Sequence, residues 1–239
     1  MSNLVISGAE NLFNVDTNDG AIYTISDVYF HDIQLDNGVT GIDFTSFTTA
    51  KFSNFYFRNV TPIDDKDTEN ELISFNNMWN TGNGNITMTN ITVVECSVRF
   101  MSIANLGQSK TIEYHMTFTD INIIDSQFEY KTDVLVFGNI KSEGIFQVTL
   151  DQWTLNNLTF SRGGSIMLFG HQSHEGVLVK NSEFTDITNS GIVIESSDQT
   201  VVNTLPTKVT LVNITATENN MMETRFISAF TGAYLQITD

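Results

Sequence analysis

The chain is poor in cysteine, proline and basic residues, and each shortage excludes a class of protein. Its one cysteine, Cys96, cannot form an intrachain disulfide framework or a thiolate zinc cluster. Two prolines and 15 glycines exclude collagen-like and proline-rich material. No run approaches the ~18 apolar residues that a membrane span requires, so no membrane insertion is predicted.

Basic residues are the most consequential shortage. Eleven lysines and arginines face 28 acidic residues in 239, a formal charge of -17. Nucleic acids and anionic membranes need basic clusters, so neither is expected as a partner. With 41% hydrophobic residues the chain is too apolar for a disordered acidic tail. The first residues show no basic stretch followed by an apolar one, so no secretory signal is expected there.

A short pattern of apolar and polar residues recurs through the chain, and asparagine, with 25 residues, is over-used in it. The first polar residue of each copy follows the previous one by 27, 36, 30, 32, 29 and 32 residues, a mean of 31. A second polar residue comes five positions later in every copy. The first set is Asp27, Asn54, Asn90, Asp120, Gln152, Asn181 and Asn213, and the second is Asp32, Asn59, Glu95, Asp125, Asn157, Asp186 and Glu218.

Short segments with alternating apolar residues surround these positions, which favours β-strands over helices. A further segment of each repeat aligns a third column, which comprises Phe13, Phe44, Phe75, Ile103, Phe137, Phe169, Ile194 and Phe230. Three strands in every ~31 residues are typical of a solenoid. The sequence therefore predicts an all-β, right-handed parallel β-helix of about eight coils, forming a single domain over residues 1–239.

In such a stack each column lies above itself, about 4.8 Å per coil. The aromatic column becomes an interior ladder, and the amides of the first polar column hydrogen-bond to one another at a coil corner. The second polar column contains acidic neighbours, Glu95 with Asp125 and Asp186 with Glu218, so it is either solvated or compensated by calcium. Because no calcium-loop motif is present, we predict no cofactor and leave calcium as the alternative.

These repeats resemble the right-handed parallel β-helix, or pectin-lyase-like, superfamily over nearly the whole chain. Their asparagine-rich style is similar to the repeat regions of long secreted or surface proteins of protists, ciliates especially. The resemblance implies the fold. It also implies one candidate activity, because enzymes of that superfamily cleave acidic polysaccharides.

The motifs of those enzymes are largely missing here. Polygalacturonase-like enzymes resemble one another in NTD, a DD pair, GHG and RIK, and only Asp64-Asp65 and Gly170-His171 remain in this chain. Pectate-lyase-like enzymes need a basic residue beside calcium, and the arginines lie far apart, at Arg58, Arg99, Arg162 and Arg225. A groove in so acidic a chain would also repel a polyuronate. We therefore predict that the protein is not an enzyme.

Two loops hold residues that could build a site. His171, His174 and Glu175 could form a metal or acid–base cluster, although an exposed polar turn is the simpler interpretation. Asp64-Asp65 and the adjoining Asp67 could hold calcium or a partner, although a solvated acidic turn is the simpler interpretation.

Five single residues have a similar choice of roles. Trp79 and Trp153 could stack on sugars, but Trp153 follows a corner residue directly and is expected in the core. His31 and His115 lie in strand-like segments and are expected to point outward. Cys96 is expected to be a plain small side chain.

Five Asn-x-Thr sequons occur, and a glycan on any of them would make the chain extracellular. Asn85, in a glycine-rich loop, is the first candidate and Asn157 the second. Asn59 is weaker because a proline follows its threonine. Asn90 and Asn213 lie in the first polar column, where burial would hinder modification after folding.

Strand-like sequence runs from Leu4 to Ile237 without a helical cap, so the ends are expected to meet further coils or another copy. We predict a non-enzymatic structural or adhesive extracellular β-helix, a filament or surface-coat component, whose partners are itself or continuing coils, with glycans. One alternative is a polysaccharide-binding or polysaccharide-cleaving enzyme with the loops 62–71, 79–85 and 170–176 as its groove. Another is an intracellular acidic solenoid that binds a protein.

Overall fold

The structure, a computed structural model, describes residues 4–7, 13–15, 22–35, 40–44, 49–63, 70–76, 84–104, 113–128, 132–138, 145–161, 164–169, 176–194, 208–220, 227–229 and 234–239. Within these ranges the chain forms strands and short connections. No helix occurs in them, and so none that could cross a membrane.

Long and short strands alternate along the chain. They are Leu4–Ser7 (β1), Phe13–Val15 (β2), Ile22–Leu35 (β3), Thr40–Phe44 (β4), Thr49–Pro62 (β5), Glu71–Asn76 (β6), Gly84–Val94 (β7), Arg99–Ala104 (β8), Glu113–Phe128 (β9), Leu135–Gly138 (β10), Ile145–Phe160 (β11), Met167–Phe169 (β12), Gly176–Thr188 (β13), Ile192–Ile194 (β14), Lys208–Thr217 (β15), Ile227–Ala229 (β16) and Tyr234–Thr238 (β17).

The odd-numbered strands form a nine-stranded sheet, sheet A, and the even-numbered strands an eight-stranded sheet, sheet B. Every pairing between the described strands is parallel, as when Ile121 of β9 pairs with Ile91 before it and Trp153 after it. One odd and one even strand make one coil. The predicted all-β parallel solenoid of about eight coils is therefore confirmed, while its right-handed winding and its single-domain character stay predictions.

Two residues with left-handed backbone, five positions apart, lie in or directly after each long strand from β3 to β15. They are the fourteen residues of the two polar columns predicted from the repeat, and their φ angles lie between 50° and 58°. A left-handed residue cannot continue a strand, so each chain segment is bent at two corners. Asparagine and aspartate visit this conformation more readily than other non-glycine residues, which explains the over-use of asparagine.

The core consists of inward-facing columns between the corners. Phe44 and Phe75, in successive coils, stack with ring centroids 5.1 Å apart, and both are buried. Trp153 is fully buried, as predicted, and its indole Nε1 donates to the carbonyl of Phe118 at 3.2 Å. Aromatic rings of this kind each bury about 150–250 Å², so the interior columns supply most of the stabilising burial.

The third predicted column is correct in the middle of the stack and wrong at its ends. Its members pair in register from Phe75 through Ile103, Phe137 and Phe169 to Ile194. At the start, however, Phe13 pairs with Ile42, and Val15 is the partner of Phe44. At the other end Ala229 pairs with Ile194, and Phe230 lies outside the described residues. The register between strands is set by the path of each coil. Aligning the repeats by their aromatic residues therefore predicts the wrong partners at the two ends.

Sheet B strands begin at a bend where two consecutive apolar side chains are both buried. The pairs are Leu72-Ile73, Phe100-Met101, Val134-Leu135 and Ile166-Met167. The backbone amides of Phe100 and Met101 both donate to the carbonyl of Val134, at 2.9 and 3.1 Å. Because side chains otherwise alternate, this doubling puts Glu71 and Ser74, both buried, on the same side of β6.

Candidate functional site

The first corner column carries a ladder of side-chain hydrogen bonds along the solenoid axis. Asn54 Nδ2 donates to Asp27 Oδ1 at 2.8 Å, and Asn90 Nδ2 donates to Asn54 Oδ1 at 2.8 Å. Near the other end Asn213 Nδ2 donates to Asn181 Oδ1 at 2.9 Å. Each bond runs from one coil to the coil before it, so the ladder has a direction.

The second corner column repeats this arrangement in shorter pieces. Asn59 Nδ2 donates to Asp32 Oδ1 and Asn157 Nδ2 donates to Asp125 Oδ1, both at 2.7 Å. In each piece a carboxylate accepts and an asparagine donates. A carboxylate has no donor of its own, so an acidic residue can only begin a ladder piece, whereas an asparagine can also relay it.

The ladder bonds act on the acids that receive them. Hydrogen bonds from Asn54 and Ser26 lower the pKa of Asp27 below its ordinary value. Hydrogen bonds from Asn59 and His31 lower the pKa of Asp32 in the same way. These hydrogen bonds therefore favour the charged form of Asp27 and Asp32.

One predicted ladder residue is not a ladder partner. Gln152 takes the left-handed corner conformation, but Asn181 Nδ2 donates instead to Asp151 Oδ1, at 2.9 Å. Asp151 also pairs with Lys180 at 3.1 Å. The neighbouring Asp120 accepts from Asn122 on its own strand, at 3.2 Å. Asp151, whose side chain is shorter and which directly precedes the corner residue Gln152, thus takes the place of Gln152 in the ladder.

One of the two acidic pairs expected in the second column, Glu95 with Asp125, is compensated by protein groups. Arg58 Nε donates to Glu95 Oε2 at 2.9 Å, and Asp125 receives the amide of Asn157. Within the described ranges, no group of three or more His, Cys, Asp or Glu side chains could hold a metal ion. Calcium binding stays an untested alternative.

Two buried serines complete the corners, and sequence reasoning missed them. Ser126 Oγ accepts the backbone amide of Cys96 at 3.1 Å and donates to the carbonyl of Ile124 at 2.9 Å. Ser182 Oγ accepts the amide of Trp153 at 3.2 Å in the corresponding way. Each serine directly follows a corner residue, at a position that is apolar in most other coils. A serine at this usually apolar repeat position was the feature of the sequence that could have revealed this role.

A second polar cluster, also missed, surrounds Glu71 at the start of sheet B. Glu71 is 5% exposed, and its carboxylate accepts from Thr40 Oγ1 at 3.3 Å and lies 3.8 Å from Arg99 Nη1. Burial raises the pKa of Glu71, although hydrogen bonds from Ser102 and Ser74 and the charge of Arg99 act in the opposite direction. Two coils further on, Asp133 accepts from both the amide and the hydroxyl of Ser165.

The single residues singled out from the sequence take structural positions where they are described. His31 contacts Asp32 at 3.0 Å and His115 contacts Gln147 at 2.9 Å, both on the outer surface as predicted. Cys96 is buried, and burial raises the pKa of its thiol to about 12, which makes it unreactive. Trp79, Asp64-Asp65, Asp67, His171, His174 and Glu175 lie outside the described residues.

The sequon asparagines all lie on the exterior, which corrects two expectations. Asn90 and Asn213 are exposed rather than buried, because their corners turn the side chains outward. Asn85 lies in strand β7 rather than in a loop, paired in register with Thr49 and His115. Asn59 and Asn157 are exposed at second-column corners. None of these placements tests whether a glycan is attached.

No protein-family model and no curated protein matches the chain. Among solved structures, the Agl-KA catalytic domain is 15% identical, with 99% of this chain and 58% of that chain covered and a TM-score of 0.23. The Streptococcus pneumoniae surface protein and adhesin PfbA is 9% identical, with 100% and 84% covered and a TM-score of 0.20. The chain thus spans little more than half of the first structure. TM-scores this low do not establish structural similarity, so the fold is assigned from the strand pairing alone.

We predict that Asn54→Asp lowers the thermal midpoint of unfolding at pH 7 by about 2–4 °C, the shift expected for the loss of one hydrogen bond in a chain of this size. The variant loses the donor to Asp27 and puts two carboxylates in adjacent coils. Because the folded pKa of Asp27 is lowered, the ladder contributes above the ordinary pKa of 3.8 and is lost as the pH falls through the lowered value. The deficit should therefore shrink on acidification. The exposed Asn156→Asp variant is the matched control, and an equal loss in both variants would contradict a special role of the ladder.

We predict that Glu71→Gln gains stability relative to the wild type as the pH rises from 4 to 7. A raised folded pKa means that the neutral acid is favoured in the fold, so stability is full below the ordinary value of 4.5 and declines as Glu71 ionises. Glutamine has no such decline. Urea unfolding at both pH values measures the gap, with the exposed Glu183→Gln as control. If the difference in unfolding free energy instead shifts in favour of the wild type between pH 4 and pH 7, the raised pKa of Glu71 is contradicted.

Proposed function

We propose that the chain is a non-enzymatic structural or adhesive β-helix of the extracellular space, a filament or surface-coat component built from stacked coils. The proposal includes membership of the right-handed pectin-lyase-like superfamily, in the style of long protist surface proteins. Its support is the repetition itself. The interior columns and corner ladders make the same contact from coil to coil, which gives stiffness along the axis and requires no disulfide.

The observation that carries the proposal is the incomplete burial of inward apolar side chains in the end coils of the described stack. Among the described residues, the hydrophobic side chains that pack against the core but are only partly buried are Tyr23, Ile25, Ile214, Ile227 and Leu235, all in the first or last coils. Inward positions in the middle, such as Phe52 and Val179, are 3% or less exposed. These inward side chains are therefore less completely covered than those of the middle coils.

The last strand of sheet A shows the same incompleteness. Ile237 of β17 pairs in register with Leu211, an inward core position, yet Ile237 is 60% exposed. β17 pairs only with the first half of β15, so Ala216 is exposed as well. An edge strand with unpaired backbone groups and apolar side chains is a template for another strand. Its occupant in this proposal is a further parallel coil, from a second copy or from continuing chain.

We expect the purified protein to associate end to end, and Ile237→Lys to abolish this association. A charge at the exposed core position would have to be buried in the contact, without a partner. Sedimentation velocity gives the mass distribution, and negative-stain electron microscopy shows whether fibres form. Thr117→Lys, on the exposed side of the middle coils, is the control and should associate normally. A wild-type protein that stays at its monomer mass of 26.7 kDa at high concentration would contradict the proposal.

The second candidate function, polysaccharide binding or cleavage, is favoured by the Glu71 cluster. A buried carboxyl with a raised pKa, next to an arginine and two serines, has the character of a general acid. A soluble-product assay on acidic and neutral polysaccharides tests it. Turnover that falls by 100-fold or more in Glu71→Gln, on the ~10²–10⁴-fold scale of acid–base catalysis, would replace the structural role by an enzymatic one.

A further inference from the structure

The corner geometry favours the residue order of an Asn-x-Thr sequon. At a corner, asparagine adopts the left-handed conformation, the next side chain points inward and the one after it points outward. Asn90, Ile91 and Thr92 follow this order, with Ile91 buried and Thr92 half-exposed. The sequons at Asn59, Asn157 and Asn213 have the same left-handed asparagine. Four of the five sequons are therefore products of the fold, and their number does not by itself indicate glycosylation.

The ladder fixes how a corner carboxamide is oriented. Asn54 donates from Nδ2 to Asp27 in the coil before and accepts at Oδ1 from Asn90 in the coil after. Nδ2 thus faces the preceding coil and Oδ1 the following one. Asn59, Asn90 and Asn157 donate from Nδ2 in the same direction, which places their Oδ1 atoms toward the next coil.

A glycan on such a nitrogen would point at the next coil. A substituted amide is planar and trans, so the remaining N–H lies opposite the carbonyl while the sugar lies on the same side as Oδ1. The ladder bond would be kept by that remaining N–H. The sugar would then meet the next corner residue, only about 4.8 Å further along the axis. For Asn59, Asn90 and Asn157 that residue is Glu95, Asp120 and Asp186.

Asn85 is the sequon with a different environment. It lies in a straight part of β7, on the outer face, and its side chain is exposed. Strand side chains stand roughly perpendicular to their sheet, so a sugar on Asn85 would extend into solvent rather than along the axis. Its register neighbours on that face, Thr49 and His115, leave the outward direction open.

We propose that Asn85 is the N-glycan attachment site of this solenoid, and that the corner sequons at Asn59, Asn90 and Asn157 are structural and carry no glycan in the folded protein. The carboxamide orientation that supports this site assignment does not depend on end-to-end association. It therefore stands or falls separately from the proposed filament role.

Secretion of the chain from a eukaryotic host behind an added signal sequence tests this site assignment. The soluble, folded fraction is treated with peptide N-glycosidase in heavy-oxygen water, and the converted asparagines are mapped by mass spectrometry. We expect conversion at Asn85 and none at Asn59, Asn90 or Asn157. A folded product with a glycan at any of those three corners, or with an unmodified Asn85, would overturn the proposal.

Two threonine variants provide a matched comparison without altering any asparagine. Thr87→Ala removes the sequon of Asn85, and Thr92→Ala removes that of Asn90, while both leave the corner ladder intact. We expect Thr87→Ala to lose the mass of one glycan and Thr92→Ala to keep the wild-type glycoform. The reverse pattern would assign the glycan to the corner and refute the orientation argument.

Discussion

The fold depends on one backbone constraint, a left-handed residue at each of two corners in every described coil from β3 to β15. An extended conformation at these positions would let the strand run on, and the coil would not close on the core. Each corner changes the phase of the alternating pattern, so that inward positions of the three straight segments all meet the same interior. The side chain that tolerates the left-handed conformation also supplies the ladder, because asparagine has a donor and an acceptor on one short planar group.

The period and the corners could be predicted from the sequence because both are determined by residue type. An asparagine or aspartate five residues from another, every 31 or so, marks a local conformation that few other side chains adopt. The exchange of Gln152 for Asp151 in the ladder could not be predicted, because it depends on which side chain reaches the next coil. The register of Phe13 was wrong for a similar reason. Its partner is chosen by the path of the chain, and not by aromatic character.

The buried polar side chains of the solenoid mark positions where the sequence departs from the repeat. Ser126 and Ser182 replace apolar residues because a backbone amide of the preceding coil would otherwise be buried without a partner. Glu71 is a costlier departure, a carboxyl that the fold holds largely away from water among hydroxyl groups and an arginine. Neighbours about 30 residues away in sequence create these environments, which explains why no local pattern revealed them.

The direction of the ladder has a consequence for symmetry. Every asparagine in it donates toward the start of the chain, and every strand runs parallel to its neighbours, so the rod has two unlike ends. Two copies cannot join like ends through a twofold axis and keep this pattern of donors and acceptors. Any contact between the ends of two copies would therefore be heterologous, and a heterologous contact that does not close into a ring generates an open, vectorial polymer.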